Sequence, residues 1–140
     1  MPRTPFRVEV LTPEGEVFNE EVEMVSTRTT VGSIGILANH QPMLADLDPA
    51  ELRLYRSEGD VVTFAQGEGF LQVADSRALL LIDELQSPDA LDAADLRDRV
   101  SSADDRVRSS PDGSEELRVA KRDKRRYETW LKIVEGGGGR

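Results

Sequence analysis

The 140-residue chain has no cysteine and a single histidine, His40. The first absence excludes a disulfide framework and any thiol-ligated metal, and it suits a reducing compartment. The second leaves no His-x-x-x-His pair for zinc. It also leaves the serines without the Gly-x-Ser-x-Gly elbow and suitably spaced histidine that a nucleophile needs. Gly32-x-x-Gly35 and Gly67-x-Gly69 lack the lysine of a phosphate loop and open no clear helix. No βαβ pattern appears, which argues against a parallel nucleotide-binding sheet. No apolar run approaches the ~20 residues of a membrane helix, and the opening Met1-Pro2-Arg3-Thr4-Pro5 lacks the apolar stretch of a signal peptide, so none is expected. An enzyme is the least favoured class.

What the chain has in excess is acid, and it is unevenly placed. The net charge is −9, yet Leu117 to Lys132 carries seven basic residues (Arg118, Lys121, Arg122, Lys124, Arg125, Arg126, Lys132) against Asp123 and Glu128, a local +5, which leaves −14 for the rest. An acidic body with one basic arm implies an acidic partner surface for the arm, or an arm folded on its own body. Tyr127 and Trp130 beside these cations invite a nucleic-acid reading. The overall charge opposes it, and helical spacing puts both rings on an apolar face, so no nucleic acid is expected.

Period two dominates the first 86 residues. Phe6, Val8 and Val10 alternate with Arg7 and Glu9, and Leu52 and Leu54 with Arg53 and Tyr55. From Val17 a second extended run is expected, with Val22, Met24 and Ser26 facing one way and Glu21, Glu23 and Val25 the other. Further strands are expected over Val61–Phe64, Gly69–Val73 and Ala78–Ile82, with turns at Thr12–Gly15, Ser57–Asp60 and Ala74–Ser76. Between them, Gly32-Ser33-Ile34-Gly35-Ile36-Leu37-Ala38-Asn39-His40-Gln41-Pro42-Met43-Leu44 reads as a tight reversal, with Ile34, Ile36 and Leu37 turned inward and His40 hydrogen-bonded within the turn. About ten short strands punctuated by turns predict an all-β sandwich.

Near Ser87-Pro88 the pattern becomes helical. Asp92, with Asp95 three residues on, predicts a helix start, Ser87 with Pro88 being the alternative cap. Leu96, Val100, Ala103 and Val107 form its apolar stripe. Ser109-Ser110-Pro111-Asp112-Gly113 breaks it, and Ser114 with Glu115 and Glu116 starts a second helix with apolar positions Leu117, Ala120, Tyr127, Trp130, Leu131 and Val134. The organisation predicted is a β-sandwich over 1–86, an antiparallel α-helical hairpin over 87–135 and a disordered glycine-rich tail over 136–140. Stripes this thin predict a hairpin only marginally held to the sandwich, able to occupy more than one position.

The segment from Gly32 to Pro42 resembles the Gly-x-x-Gly-Ile-Leu-x-x-His-x-Pro pattern of the epsilon subunit of F-type ATP synthases, and Gly67-Glu68-Gly69-Phe70-Leu71-Gln72-Val73 resembles that family's Gly-Gly-Phe-x-Glu-Val segment. Ala38 and Gln72 depart from it, as does Glu68 between the glycines. The resemblance spans about Phe6 to Trp130. It implies a non-catalytic subunit of the rotary central stalk, peripheral on the cytoplasmic face of a bacterial membrane and touching that membrane only through the complex. The sandwich would meet the gamma subunit and the c-subunit ring, with Gly32, Gly35, Ile36, Leu37, His40, Pro42, Gly69 and Phe70 near those interfaces. The hairpin would be a movable inhibitor of ATP hydrolysis, with Arg118, Lys121, Arg122, Arg125 and Arg126 facing an acidic segment of the beta subunit. No cofactor or metal is implied. Some family members bind ATP between the hairpin helices through Ile/Leu-Asp-x-x-Arg-Ala; here Leu91-Asp92-Ala93-Ala94-Asp95-Leu96 puts Asp95 in place of the arginine, and an acid repels phosphate. The alternative reading is a free-standing β-sandwich module whose basic helix docks an acidic protein or RNA.

Overall fold

The computed structural model describes residues 3–136. The chain divides into two compact units, Met1–Ser87 and Pro88–Arg140.

The first unit is a β-sandwich of ten strands: β1 (Phe6–Thr12), β2 (Gly15–Val22), β3 (Met24–Thr29), β4 (Gly32–Ile36), β5 (Met43–Leu47), β6 (Ala50–Ser57), β7 (Asp60–Gln66), β8 (Gly69–Ala74), β9 (Arg77–Ile82) and β10 (Leu85–Gln86). Hydrogen bonding links them in the order β10-β7-β6-β3-β5-β8-β9-β1-β2, with β4 attached beside β3. Neighbours run antiparallel except β1 and β9, which pair in parallel from Arg7↔Arg77 to Leu11↔Leu81. The sheet curls until β2 meets β6, where Arg56 donates to Glu20 at 2.7 and 2.9 Å and lies 5.9 Å from the centre of the Phe18 ring.

Alternation decides the core. Val8, Val10, Leu52, Leu54, Leu71 and Leu80 are fully buried, and the residues between them face outward or sit at the margin. The expected facing of the run after Val22 is wrong, because the chain bends at Glu23. The bend resets the parity: Val25, not Met24, enters the core, directly opposite Leu54 and Ile36. A one-residue change of phase inverts every later side chain. The 32–36 stretch is likewise not itself the reversal; it is a strand, and the chain turns at Thr30 and Val31 just before it. Ile36 is buried and Ile34 packs against the core as expected, but Leu37 lies past the end of the strand and is exposed.

The second unit is an antiparallel hairpin. After a short 3-10 turn over Pro88–Ala90 come α1 (Ala93–Ser109) and α2 (Glu115–Gly136). Asp92 caps α1, its carboxylate accepting the Asp95 amide at 3.1 Å, and the Ser114 hydroxyl accepts the Leu117 amide at 3.1 Å to start α2. Gly113, with φ of +74°, supplies the left-handed residue between them. Leu96 and Ala103 of α1 are buried, as are Ala120, Arg126, Trp130 and Ile133 of α2. Ile133 and Arg126 were not among the expected inward positions. Gly136 belongs to α2 rather than to a tail, and 137–140 lie outside the described residues.

Candidate functional surface

The two glycine-containing blocks, more than thirty residues apart in sequence, meet through the sheet. Gly32 opposes Thr29, Thr29 opposes Leu47, Leu47 opposes Gly69 and Gly69 opposes Ile82, so one cross-strand row carries both blocks. Gly32 has φ of +138°, a shape glycine adopts freely. Thr29 closes the turn around it, its hydroxyl donating to the Gly32 carbonyl at 3.0 Å and accepting the Val31 amide at 3.2 Å. Gly69 is glycine for a different reason: a Cβ there would lie 2.2 Å from the Leu81 carbonyl oxygen. Gly35, on the outward face of β4, has open space around it.

After Ile36 the chain makes a tight turn, with the His40 amide donating to the Leu37 carbonyl at 3.2 Å and Asn39 at φ of +66°. The His40 ring nitrogen Nδ1 is 2.9 Å from the carbonyl of Gln41. The Ser76 hydroxyl donates to Asn39 at 3.0 Å, tying this turn to the one between β8 and β9. Pro42 is exposed just before β5.

Pairing also sets what this surface shows. Asp46, Phe70, Leu81 and Leu11 form one outward row, and Leu44, Gln72, Leu79 and Glu9 the next. Leu44 is 66% exposed, Leu81 45% and Phe70 43%, and Val31 at the tip of the β3–β4 hairpin is 96% exposed. A cleft of about 390 Å³ separates that tip from β5, with Ile34 and Met43 among its walls. The sequence marked Phe70, and Leu44 as the end of the motif segment, but not Leu81, because only the register brings the three together.

Beneath the surface lies a polar lock that no motif announced. The buried Thr27 hydroxyl donates to Gln66 Oε1 at 2.7 Å, and Gln66 Nε2 donates to the Asp48 carbonyl at 2.7 Å. The first of these bonds joins β3 to β7, and the second joins β7 to the turn after β5. The Asp48 carboxylate, also buried, lies 3.9 Å from Arg28.

On α2 the five expected cations do not share one environment. Arg118, Lys121 and Arg125 are exposed on one helical face, with Lys132 two turns further along it. Arg118 is held by Glu115 at 2.9 Å, Arg122 lies part-buried against Asp123 at 3.0 Å, and Arg126 is buried, off the exposed face where it was expected. Asp95 is exposed in the first turn of α1, its carboxylate 2.9 Å from Arg99 Nε. Among the described residues no group of three or more acidic or histidine side chains is placed to hold a metal, and no described helix is long and apolar enough to cross a membrane.

A curled ten-stranded β-sandwich followed by an antiparallel helical hairpin, with its recognisable motifs on the sheet surface rather than in an enclosed pocket, defines a class of small two-unit subunit folds. Residues 5–88 match the family described as the ATP synthase, Delta/Epsilon chain, beta-sandwich domain. The ATP synthase epsilon chain of Dichelobacter nodosus is 32% identical over 110 residues, 79% of this chain and 76% of that one. That of a Sulfurihydrogenibium species is 27% identical over 129 residues, 92% of this chain and 96% of its own, so the likeness extends into the hairpin. A chain in the Euglena gracilis mitochondrial ATP synthase structure, which covers OSCP, F1 and the c-ring, shares the fold with a TM-score of 0.68 at 21% identity over 94% of this chain and 78% of that one. The chain belongs to the epsilon chain family of ATP synthases.

Proposed function

We propose that the sandwich fastens this chain to the gamma subunit and the c-subunit ring of a rotary ATP synthase, so that it turns with the central stalk on the periphery of the membrane and couples proton-driven rotation to ATP synthesis. The observation that carries this reading is the cross-strand row joining Gly32 to Gly69. The side chains of that row, Thr29, Leu47 and Ile82, are buried, and it holds the two blocks together behind an outward face where Phe70 and Leu81 pair and Leu44 lies on the next outward row. Exposed apolar side chains gathered on a sheet face are what a partner would bury. The names of the relatives support the same assembly.

The hairpin is read as a brake on ATP hydrolysis, its exposed cations Arg118, Lys121 and Arg125 meeting an acidic segment of the beta subunit. Arg126, buried, supports the helix rather than the contact. No nucleotide is needed, since Asp95 offers a carboxylate where a phosphate would want a cation. The chain has no catalytic centre in this account and its role is mechanical. In the purified synthase, a subunit ending at Ser87 should assemble and sustain ATP synthesis while ATP hydrolysis rises severalfold. Unchanged hydrolysis would remove the brake, and failed assembly would mean that the sandwich does not suffice for docking.

A further inference from the structure

The hairpin is fastened along its length by charge. Near the connecting turn, Arg106 reaches Asp123 at 3.0 Å and Lys124 reaches Asp104 at 2.9 Å. Midway, the Arg99 guanidinium lies 5.5 Å from the centre of the Tyr127 ring. At the open end Arg97 reaches Glu135 at 2.6 Å. All four contacts run from α1 to α2. Several of their members are shared with a neighbour on the same helix: Asp104 also holds Arg108, Asp123 also holds Arg122, and Asp95 holds Arg99. Near the connecting turn the buried side chains are the small Ala103 and Ala120, which contribute little apolar area, whereas Leu96, Trp130 and Ile133 are buried toward the open end, beside the Arg97–Glu135 pair.

We propose that the hairpin is an ionic clasp: screening salt, rather than a ligand held between the helices, sets the balance between closed and open forms. The physical case rests on exposure. Arg97, Glu135, Arg106, Asp104 and Lys124 keep a third or more of their side-chain surface in solvent, where counterions reach them. A single exposed pair contributes little, but these contacts break together when the helices part, so their weak attractions act jointly. The Asp123 side chain, 14% exposed, is the best shielded of the ionic partners and the last to be screened. The place where a nucleotide-binding relative would need a cation is occupied by Asp95, already engaged with Arg99.

The absence of cysteine makes the test direct. Spin labels on Ser102→Cys and Glu128→Cys in the full-length chain report the distance between the helices. Raising NaCl from about 0.1 M to about 1 M shortens the screening length from ~10 Å to ~3 Å. The clasp predicts a narrow, short distribution at the lower salt and a roughly tenfold higher open-to-closed ratio at the higher. Arg97→Glu, which sets like charges against each other at the open end, should reproduce the high-salt distribution at low salt. Adding Glu135→Arg to that variant should restore the closed one. The double variant also controls for loss of helix, since it differs from the open variant by one further substitution that restores the pair. Distances that ignore salt and both variants would overturn the clasp in favour of apolar closure. Narrowing by ATP at matched ionic strength would overturn it in favour of a ligand-held hairpin.

Discussion

Gly69 and Gly35 look alike in the sequence, each a glycine among apolar strand residues, yet they answer to different constraints. At Gly69 a methyl group would be driven into the Leu81 carbonyl of β9, 2.2 Å away, and a backbone atom cannot rotate aside as a side-chain end can. Gly69→Ala should therefore cost ~1–3 kcal/mol and lower the melting midpoint of the sandwich by several degrees. Gly35→Ala meets nothing and should leave that midpoint level or slightly higher, because alanine loses less conformational freedom on folding. The same thermal scan settles a second case. Gln66→Leu strands the Thr27 hydroxyl and the Asp48 carbonyl inside the protein, which should cost ~1–3 kcal/mol. Adding Thr27→Val to Gln66→Leu should recover part of that loss. A double variant that only adds to the damage would contradict the lock. Nothing in the sequence marks Gln66, since its partners Thr27 and Asp48 stand 39 and 18 residues away and only folding introduces them.

Among elements, those whose pattern is local were legible. The alternations in β1 and β6, the Asp92 cap of α1 and the Ser114 start of α2 follow from residues within a turn or two of each other. Phase and surroundings were not. The bend at Glu23 moved Val25 inward because one residue leaving the pleat reverses the parity of all that follow, and Leu37 turned outward because β4 ends before it. Arg126 was read as part of a cationic face, whereas its angular position on α2 lies toward the buried stripe with Trp130 and Ile133. The motif blocks could be named from sequence, but their meeting on one row required the pairing of β3 with β5 and of β5 with β8.

The hairpin also has a pH signature. Lys124, then Arg108, hold the Asp104 carboxyl below its ordinary value. Burial pushes Asp123 up, but the hydrogen bonds and charge of Arg106 and Arg122 outweigh it and the net shift is downward. Groups lowered in the folded state stabilise it fully above their unfolded value, near 3.8, and that contribution is lost as pH falls through the lowered values. Helicity and the interhelix distance should hold steady from about pH 7 to about pH 5 and decline only below ~4. A hairpin that opened near neutrality would contradict this assignment.

At the scale of the whole molecule, two units divide the work: a sandwich with an apolar, motif-bearing surface, and a charged hairpin fastened to itself. Family membership gives this division its setting among the epsilon chains of ATP synthases, and the exposed surface around Leu44, Phe70 and Leu81 is the place of attachment proposed for it. The most direct measurement is to recover the tagged chain from membranes of its own cells at low salt and identify what accompanies it, alongside a Leu44→Asp, Phe70→Asp variant. The account predicts the gamma subunit and the c-subunit ring with the parent chain and their loss with the variant, whose own fold, altered only at outward positions, should persist. A parent chain that brings neither, or a variant that brings both undiminished, would contradict it.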